Sequence, residues 1–157
     1  MNISELTGPV IHIGVSAALA LVFRLNLAVV IFCGILPDIV DKPLAAMGIG
    51  GGRYIGHTLL FAVVVSAAFF FWKKKYGLAA IIGLVSHLLL DLNTLIPWFY
   101  PFKNYEFLIT KLNFTTWFHE YLKLNKAGYE LLAVAIVLII ALIGRWLFRR
   151  YVKRGEQ

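Results

Sequence analysis

One apolar run that contains a histidine and an aspartate constrains this chain more than any other stretch. It extends over residues 76–96 and includes Gly-Leu-Val-Ser-His-Leu-Leu-Leu-Asp-Leu-Asn-Thr at 83–94. A run of about 20 apolar residues is long enough for a helix that crosses a bilayer. On a helix, His87 and Asp91 lie on one face, one turn apart, within reach of the same ion or proton. Inserting a carboxylate there costs about 2.5–3.5 kcal/mol, so the run requires a metal, a buried ion pair or a water-filled cavity.

The composition indicates an integral membrane protein. Of the 157 residues, 61% are hydrophobic and 15% are charged, whereas an ordinary soluble domain has about 25% charged residues. We therefore predict a single all-α membrane domain over residues 1–157. The net charge of +7 arises from Lys and Arg at the ends of apolar runs, which is the positive-inside pattern. The expected partner is thus the lipid bilayer and not nucleic acid.

Five apolar segments predict about five transmembrane or partly embedded helices. Their ranges are 8–23, 27–37, 55–72, 76–96 and 129–148. Arg24-Leu25-Asn26 is expected to turn the chain, and Pro37 to end the second segment. The first two segments are shorter than the ~20 residues of a full span, which leaves open a tilted hairpin or helices that end in a protein-lined cavity.

Two further features bear on how the segments are placed in the membrane. Residues 97–128 begin with an aromatic and proline-rich run and predict an interfacial segment, because amphipathic rings sit well at the headgroup level. Lys and Arg are densest around residues 73–75 and in the C-terminal tail. The positive-inside rule then favours a plasma-membrane protein with its N-terminus outside and its C-terminus inside.

An antiparallel arrangement of these segments would bring the polar residues of four of them to one membrane face. In chain order they are His12, Asp38, Asp41, Arg53, His57, His87 and Asp91. Polar residues that were merely tolerated would be scattered between the two faces. The convergence therefore predicts a site, whichever face is cytoplasmic.

Histidine and aspartate in this number suit a divalent metal. Zinc is the first expectation, and manganese or iron accept the same ligands. A bound dication lowers the pKa of water toward ~7, which permits hydrolysis of phosphoesters, amides or esters. Arg53 can hold a phosphate oxygen bidentately. We assign catalytic roles to Arg53 and to Asp41, although Asp41 also suits a supporting role or a helix cap.

The residues resemble the membrane-bound metal-dependent hydrolase family (YdjM-like) over about residues 8–102. The matching pieces are His12, Leu-Pro-Asp-Ile-Val-Asp at 36–41, Arg-Tyr-Ile-Gly-His-Thr at 53–58, and 83–94. Gly52 and Tyr54 stand where the family's His-Arg-Gly-x-x-His-Ser motif has its first His and its Gly. That family is similar in turn to the zinc-dependent phospholipase C and nuclease group.

The resemblance implies a set of metal ligands. Asp38, His57, His87 and Asp91 would hold a first ion, and His12 would join Asp91 at a second. The group's third ion needs a His-x-x-x-Glu pattern, and this chain has only the adjacent pair at 119–120. The resemblance thus implies one or two ions.

Three functions remain open from the residues. The first is a hydrolase that acts on a phosphoester or lipid-like substrate at one membrane face. The second is a small ion-handling or transport protein in which the same residues relay protons or bind a cation in transit. The third is a non-catalytic scaffold whose polar layer only fixes helix packing. A transport path predicts acidic or histidine residues toward the basic face, and the sequence has none before the tail.

Overall fold

The computed structural model describes residues 8–92, 96–107, 115, 119 and 126–155, and within these ranges the regular structure is helical, without strands. The prediction of an all-α chain is confirmed. The five α-helices are α1 (Pro9–Phe23), α2 (Leu27–Ala46), α3 (Leu59–Trp72), α4 (Lys74–Leu90) and α5 (Lys126–Gly155). A 3-10 turn at Gly50–Gly52 lies between α2 and α3.

The turn between α1 and α2 forms where the sequence predicts it. Arg24 adopts the left-handed conformation (φ 55°), and its backbone N–H closes α1 on the carbonyl of Ala20. The side chain of Asn26 then accepts a hydrogen bond from the N–H of Val29, at 3.0 Å. An Asn at this position satisfies one of the unpaired donors at the start of a helix, so α2 begins immediately after the turn.

The prediction that Pro37 ends the second helix is wrong, because α2 continues through it. Proline removes an N–H and so leaves a gap in the hydrogen-bond ladder of a helix. In a packed membrane helix, neighbouring elements can satisfy the freed backbone groups. Next to the carbonyl of Cys33, which loses its helical donor at Pro37, the carbonyl of Gly34 accepts a hydrogen bond from His87 of α4, so this turn of α2 is packed against α4. Asp38 and Asp41 consequently lie on α2 rather than in a loop after it.

The other predicted boundaries shift by a few residues. The segment predicted at 55–72 is α3, which begins only at residue 59, so His57 lies in the loop before it. The segment predicted at 76–96 is α4, which ends at residue 90. Of the predicted interfacial segment, the structure describes mainly residues 97–107, which form turns and extended chain.

Helix length supports the predicted spans only in part. Among the described helices, α5 alone contains a segment, Gly128–Leu147, that is long and apolar enough to cross a membrane. The apolar helices α1 and α3 have 15 and 14 residues. Fifteen residues extend about 22 Å, whereas the hydrocarbon core is about 30 Å thick. One span is therefore supported by length, and the other four stay predictions.

Helices α1, α2 and α4 pack closely through small residues. A Cβ added to Gly83 of α4 would lie 2.5 Å from the carbonyl oxygen of Val30 and 2.9 Å from Cβ of Cys33, both on α2. A Cβ added to Gly34 of α2 would lie 2.0 Å from Oγ of Ser16 on α1. Small residues let membrane helices approach at short range. The apolar core around this contact consists of Cys33, Ala62, Ala80, Leu84, Leu88 and Ile96.

Helix α5 packs against α1 and contacts it at both ends of α1. The backbone N–H of Gly8, at the start of α1, donates to the buried carboxylate of Glu130. At the other end, Nη1 of Arg145 donates to the carbonyl of Leu21, at 3.4 Å. A carboxylate at the N-terminus of a helix and a guanidinium at its C-terminus both interact favourably with the helix dipole. We call this pair of contacts the end clamp.

Candidate metal centre

The structure brings the five residues predicted as metal ligands into one cluster. Their ligand atoms form two overlapping groups, each lying within 4.8 Å, with His87 in both. His57 and His87 are fully buried, and His12 and Asp91 are 2% exposed. The side chain of Asp38 is 20% exposed. We call these residues the His/Asp cluster: His12, Asp38, His57, His87 and Asp91.

Asp41 of α2 fixes the loop that carries His57. Its fully buried carboxylate accepts the backbone N–H groups of Tyr54, Gly56 and His57 at 2.6, 2.8 and 3.2 Å. The loop approaches α2 so closely that a Cβ on Gly56 would lie 2.6 Å from the carbonyl of Pro37. Asp41 thus replaces the missing regular hydrogen bonds at three of the four loop positions 54–57.

The same carboxylate also orients the His57 ring. Oδ2 of Asp41 lies 2.7 Å from Nδ1 of His57, which turns Nε2 toward the cluster. Metal-ligating histidines commonly donate their second ring N–H to a carboxylate in this manner. The contacts favour a positioning role for Asp41 over the catalytic role predicted for it.

His87 is held in the matching way by a backbone group. Its Nδ1 lies 2.8 Å from the carbonyl oxygen of Gly34. Because a carbonyl oxygen only accepts, Nδ1 carries the proton and Nε2 carries a lone pair. When Nδ1 of His57 likewise donates to Asp41, its Nε2 also carries a lone pair. The two Nε2 atoms face each other at 3.1 Å, a separation at which two lone pairs repel unless a cation or a proton lies against them.

The spacing of the donor atoms fits a divalent metal. Oδ2 of Asp91 lies 3.4 Å from Nε2 of His57 and 4.0 Å from Nε2 of His87. Ligand distances of about 2.0–2.1 Å in a tetrahedral zinc site correspond to ligand–ligand separations of about 3.3 Å. The three atoms therefore form a face of nearly the required size.

Asp38 adds a donor on the more exposed side of this face. Its Oδ1 lies 3.7 Å from Nε2 of His57 and 3.5 Å from Nζ of Lys42. This oxygen is buried and makes no hydrogen bond. Buried polar atoms are nearly always hydrogen-bonded or ligated, so Asp38 has the geometry of a further ligand.

His12 contacts the other oxygen of Asp91. Its Nε2 lies 3.5 Å from Oδ1 of Asp91, and its ring stacks on His87 with centroids 4.1 Å apart. Nδ1 of His12 and Oγ of Ser16, one turn along α1, are buried without a hydrogen-bond partner. Oδ1 of Asp91 thus faces His12, and Oδ2 of Asp91 faces His57 and His87.

Arg53 marks the side on which the cluster opens. Its Nε donates to Oδ2 of Asp91 at 3.0 Å, and its side chain is 26% exposed. Lys42, which pairs with Asp38, is 25% exposed. The histidines and Asp91 lie behind them with almost no exposure. Two cationic side chains, Arg53 and Lys42, therefore lie on the more exposed side of the cluster.

The surroundings of His57 favour positive charge. Burial lowers the pKa of this loop residue, but hydrogen bonds with Asp41 and Asp91 and the charge of Asp38 outweigh burial and raise it overall. The raised pKa of His57 reflects three carboxylates gathered around one imidazole. The same carboxylates would stabilise a bound dication.

Some site features lie outside what sequence reasoning found. The Gly34 carbonyl and the loop N–H groups at Tyr54 and Gly56 are backbone groups without a side-chain signature, although glycines at 34 and 56 were a signal for close approach. His119 is exposed, and Glu120 lies outside the described residues.

The fold and the cluster together define a class: a helical membrane protein with a candidate metal centre. The chain belongs to the YdjM inner membrane protein family, whose family model matches residues 7–152. Neither a curated protein nor a solved structure matches the chain. The family match carries a membrane location and extends the YdjM-like resemblance from residues 8–102 to nearly the whole chain, but no homologue supports the expected relationship to hydrolases or to the phospholipase C group.

Proposed function

We propose that the protein is a membrane-embedded metal-dependent hydrolase of phosphoesters. The observation that carries this proposal is the pair of Nε2 atoms of His57 and His87 at 3.1 Å, each with its Nδ1 engaged elsewhere. With Nδ1 of each neutral ring engaged elsewhere, the two Nε2 atoms are acceptors that face each other beside the Asp91 carboxylate, an arrangement that suits a cation. A proton on Nε2 of His57, which the carboxylates around this ring also favour, would instead make the pair an ordinary hydrogen bond, so bound metal decides between the two.

The cluster residues would hold zinc, with manganese or iron as alternatives, in one or two positions. His57, His87 and Asp91 border one position, and His12, Asp38 and His87 border a second that overlaps it, with His12 also next to the other oxygen of Asp91. A bound dication supplies a water of lowered pKa that can act as the nucleophile in hydrolysis. Asp41 and the Gly34 carbonyl keep both imidazole rings in place, so that little reorganisation is needed on binding.

Arg53 would bind the phosphate of the substrate. Its Nε stays on Asp91, at 3.0 Å, while the guanidinium extends toward the partly exposed side of the cluster. Arginine offers five donors in a planar fork, which suits phosphate oxygens. Its bond to a cluster carboxylate would keep the bound phosphate beside the metal.

We also propose an orientation of the helices in the membrane. The five helices would be embedded with the N-terminus outside and the C-terminus inside. Lys73, between α3 and α4, and Lys75, in the first turn of α4, have Nζ atoms that lie 5.5 and 5.4 Å from the ring centroid of Tyr76. Amphipathic aromatic and basic side chains together are typical of a cytoplasmic interface, whereas the cluster lies toward the other ends of these helices.

Bound metal in the purified full chain tests the proposal. We expect about one or two equivalents of zinc, manganese or iron in the wild type, consistent with a His/Asp site, and a loss of most of it in His87→Ala. His119→Ala is the matched control, since it removes an exposed imidazole, and it should retain the metal.

Turnover of bis(para-nitrophenyl) phosphate in the same preparations tests the hydrolase activity. It should follow metal content across the three proteins. Metal without turnover of phosphoesters would favour ion handling instead, and absence of metal in the wild type would favour a structural polar layer.

A further inference from the structure

Three aromatic rings from two separate segments meet beside the cluster. The ring centroid of Tyr54 lies 5.1 Å from that of Tyr100 and 4.9 Å from that of Phe107, and the latter two are 5.5 Å apart. The hydroxyl groups of Tyr54 and Tyr100 are hydrogen-bonded at 2.8 Å. We call these three residues the aromatic cluster. Its edge-to-face and tilted contacts are those that aromatic rings favour.

The aromatic cluster is fixed to the metal centre through Tyr54. This residue follows Arg53, and its backbone N–H donates to Asp41 at 2.6 Å. The ring lies directly over the backbone of Gly50, where an added Cβ would be 2.5 Å from Cγ of Tyr54. Gly50 has φ +71°, so glycine both permits the turn and makes room for the ring. A shift of the aromatic cluster is therefore coupled to the loop that carries Arg53 and His57.

The rings are exposed to about the same degree as Arg53. Tyr54, Tyr100 and Phe107 are all half-buried, as is Arg53. Phe99 and Phe102 of the adjoining turn are 58% and 83% exposed. A partly exposed apolar surface thus begins at the chain neighbour of Arg53 and includes side chains that would face lipid in a membrane.

We infer that the aromatic cluster binds the alkyl tail of an amphiphilic substrate whose anionic phosphate contacts Arg53. This inference rests on the proposed function. The charge of Arg53 suits the phosphate, and the three rings supply an adjoining apolar surface of the kind that favours alkyl chains. A small soluble phosphoester would gain nothing from this surface. The site would therefore select its substrates by the presence of a tail.

Binding of two alkyl phosphates to the metal-loaded full chain in detergent tests the inference. The probes are hexyl phosphate and methyl phosphate, which share the anionic group and differ only in the tail. Isothermal titration gives the ratio of their dissociation constants. We expect the wild type to bind hexyl phosphate about tenfold more tightly, a modest gain for five extra methylenes that are partly buried.

Variants separate the aromatic cluster from the rest of the apolar surface. Phe107→Ala should lose about fivefold of the preference for the longer tail while methyl phosphate binding is unchanged, because ring contacts are removed and Arg53 is not. Phe102→Ala removes an equally large but mostly exposed ring and should retain the preference, which also controls for partition into micelles. Tyr100→Ala provides a second variant if Phe107→Ala fails to fold, as judged by its metal content.

The outcomes are distinct from those of the proposed function. Equal affinity for the two probes in the wild type, or the same tail preference in the wild type and both ring variants, would overturn the inference even if metal and turnover are present. Absence of metal overturns the hydrolase proposal by itself. Tail-dependent binding without turnover would support the amphiphile site and contradict only the reaction.

Discussion

Helices α4 and α5 have similar apolar compositions but differ in how much of their surface is buried. Helix α4 packs against three other helices, and eight of its residues are buried, including Gly83, His87 and two alanines. Helix α5 packs against α1 and exposes most of its large apolar side chains. A helix that carries buried polar ligands must be covered on the face that bears them, whereas a helix that faces lipid needs only length and apolar surface.

The way each helix is held differs accordingly. The position of α4 is fixed by close backbone approach, with Gly83 lying against Val30 and Cys33 of α2. The position of α5 is fixed by the end clamp of Glu130 and Arg145 on α1. The close approach of α4 to α2 fixes the position of a side chain to a few tenths of an ångström, as the geometry of a metal ligand requires. The end clamp fixes only how far α5 is shifted along α1.

The largest difference should appear when one methyl group is added to each helix. Gly83→Ala places a Cβ 2.5 Å from a backbone carbonyl, and such overpacking costs about 1–3 kcal/mol. We expect a clear drop in the thermal unfolding midpoint together with loss of bound metal, because His87 lies one turn further along α4.

Gly144→Ala on α5 is the matched control for that change. In the part of the chain that the structure describes, no heavy atom outside the backbone of α5 lies within 4 Å of the added Cβ, and alanine exceeds glycine in helix propensity by up to about 1 kcal/mol. Its midpoint should stay the same or rise, with metal unchanged. Equal effects of the two substitutions would show that α4 is not the more tightly packed helix.

A smaller effect is expected from a residue that acts through a ligand. Asp41→Asn keeps the size of the side chain but replaces one carboxylate oxygen with a donor, which weakens the hold on the loop and on Nδ1 of His57. We expect metal affinity to fall by about 10–100-fold, as for other residues that orient metal ligands. Chelator competition on the purified protein measures this change.

Two further variants give the smallest and the largest change in metal affinity with which Asp41→Asn is compared. Glu106→Gln, which changes an exposed acidic residue, should leave metal affinity unchanged. Asp91→Asn should abolish metal binding, because both oxygens of Asp91 face imidazole nitrogens. If Asp41→Asn is as severe as Asp91→Asn, Asp41 is a ligand itself and not a positioning residue.

The smallest effect should come from the end clamp. Glu130→Gln and Arg145→Gln each remove one charge near an end of α1, where such charges contribute about 0.3–2 kcal/mol. The two sites lie at opposite ends of the helix, so their effects on the unfolding midpoint should add. Metal content should not change in either variant, and a loss of metal would mean that α5 also determines the cluster geometry.

Chain order alone placed the cluster, but not its internal geometry. Antiparallel helices make it predictable that His12, His57 and His87 share one face, since each position depends only on where its own helix starts or ends. The contact of His87 with the Gly34 carbonyl depends on the register of α4 against α2, which no local pattern encodes. The same holds for the passage of α2 through Pro37, because tertiary contacts there override the intrinsic preference of proline.

The buried position of Cys33 has a consequence for experiments on this protein. It is the one cysteine in the sequence and is fully buried. It lies on α2, next to Gly34, and faces α4. A thiol reagent can reach it only when these helices separate, so the rate of labelling reports the frequency of local opening. The labelling rate of Cys33 therefore probes how often α2 and α4 separate around His87. A ligand that holds these two helices together should slow the labelling of Cys33 without contacting it.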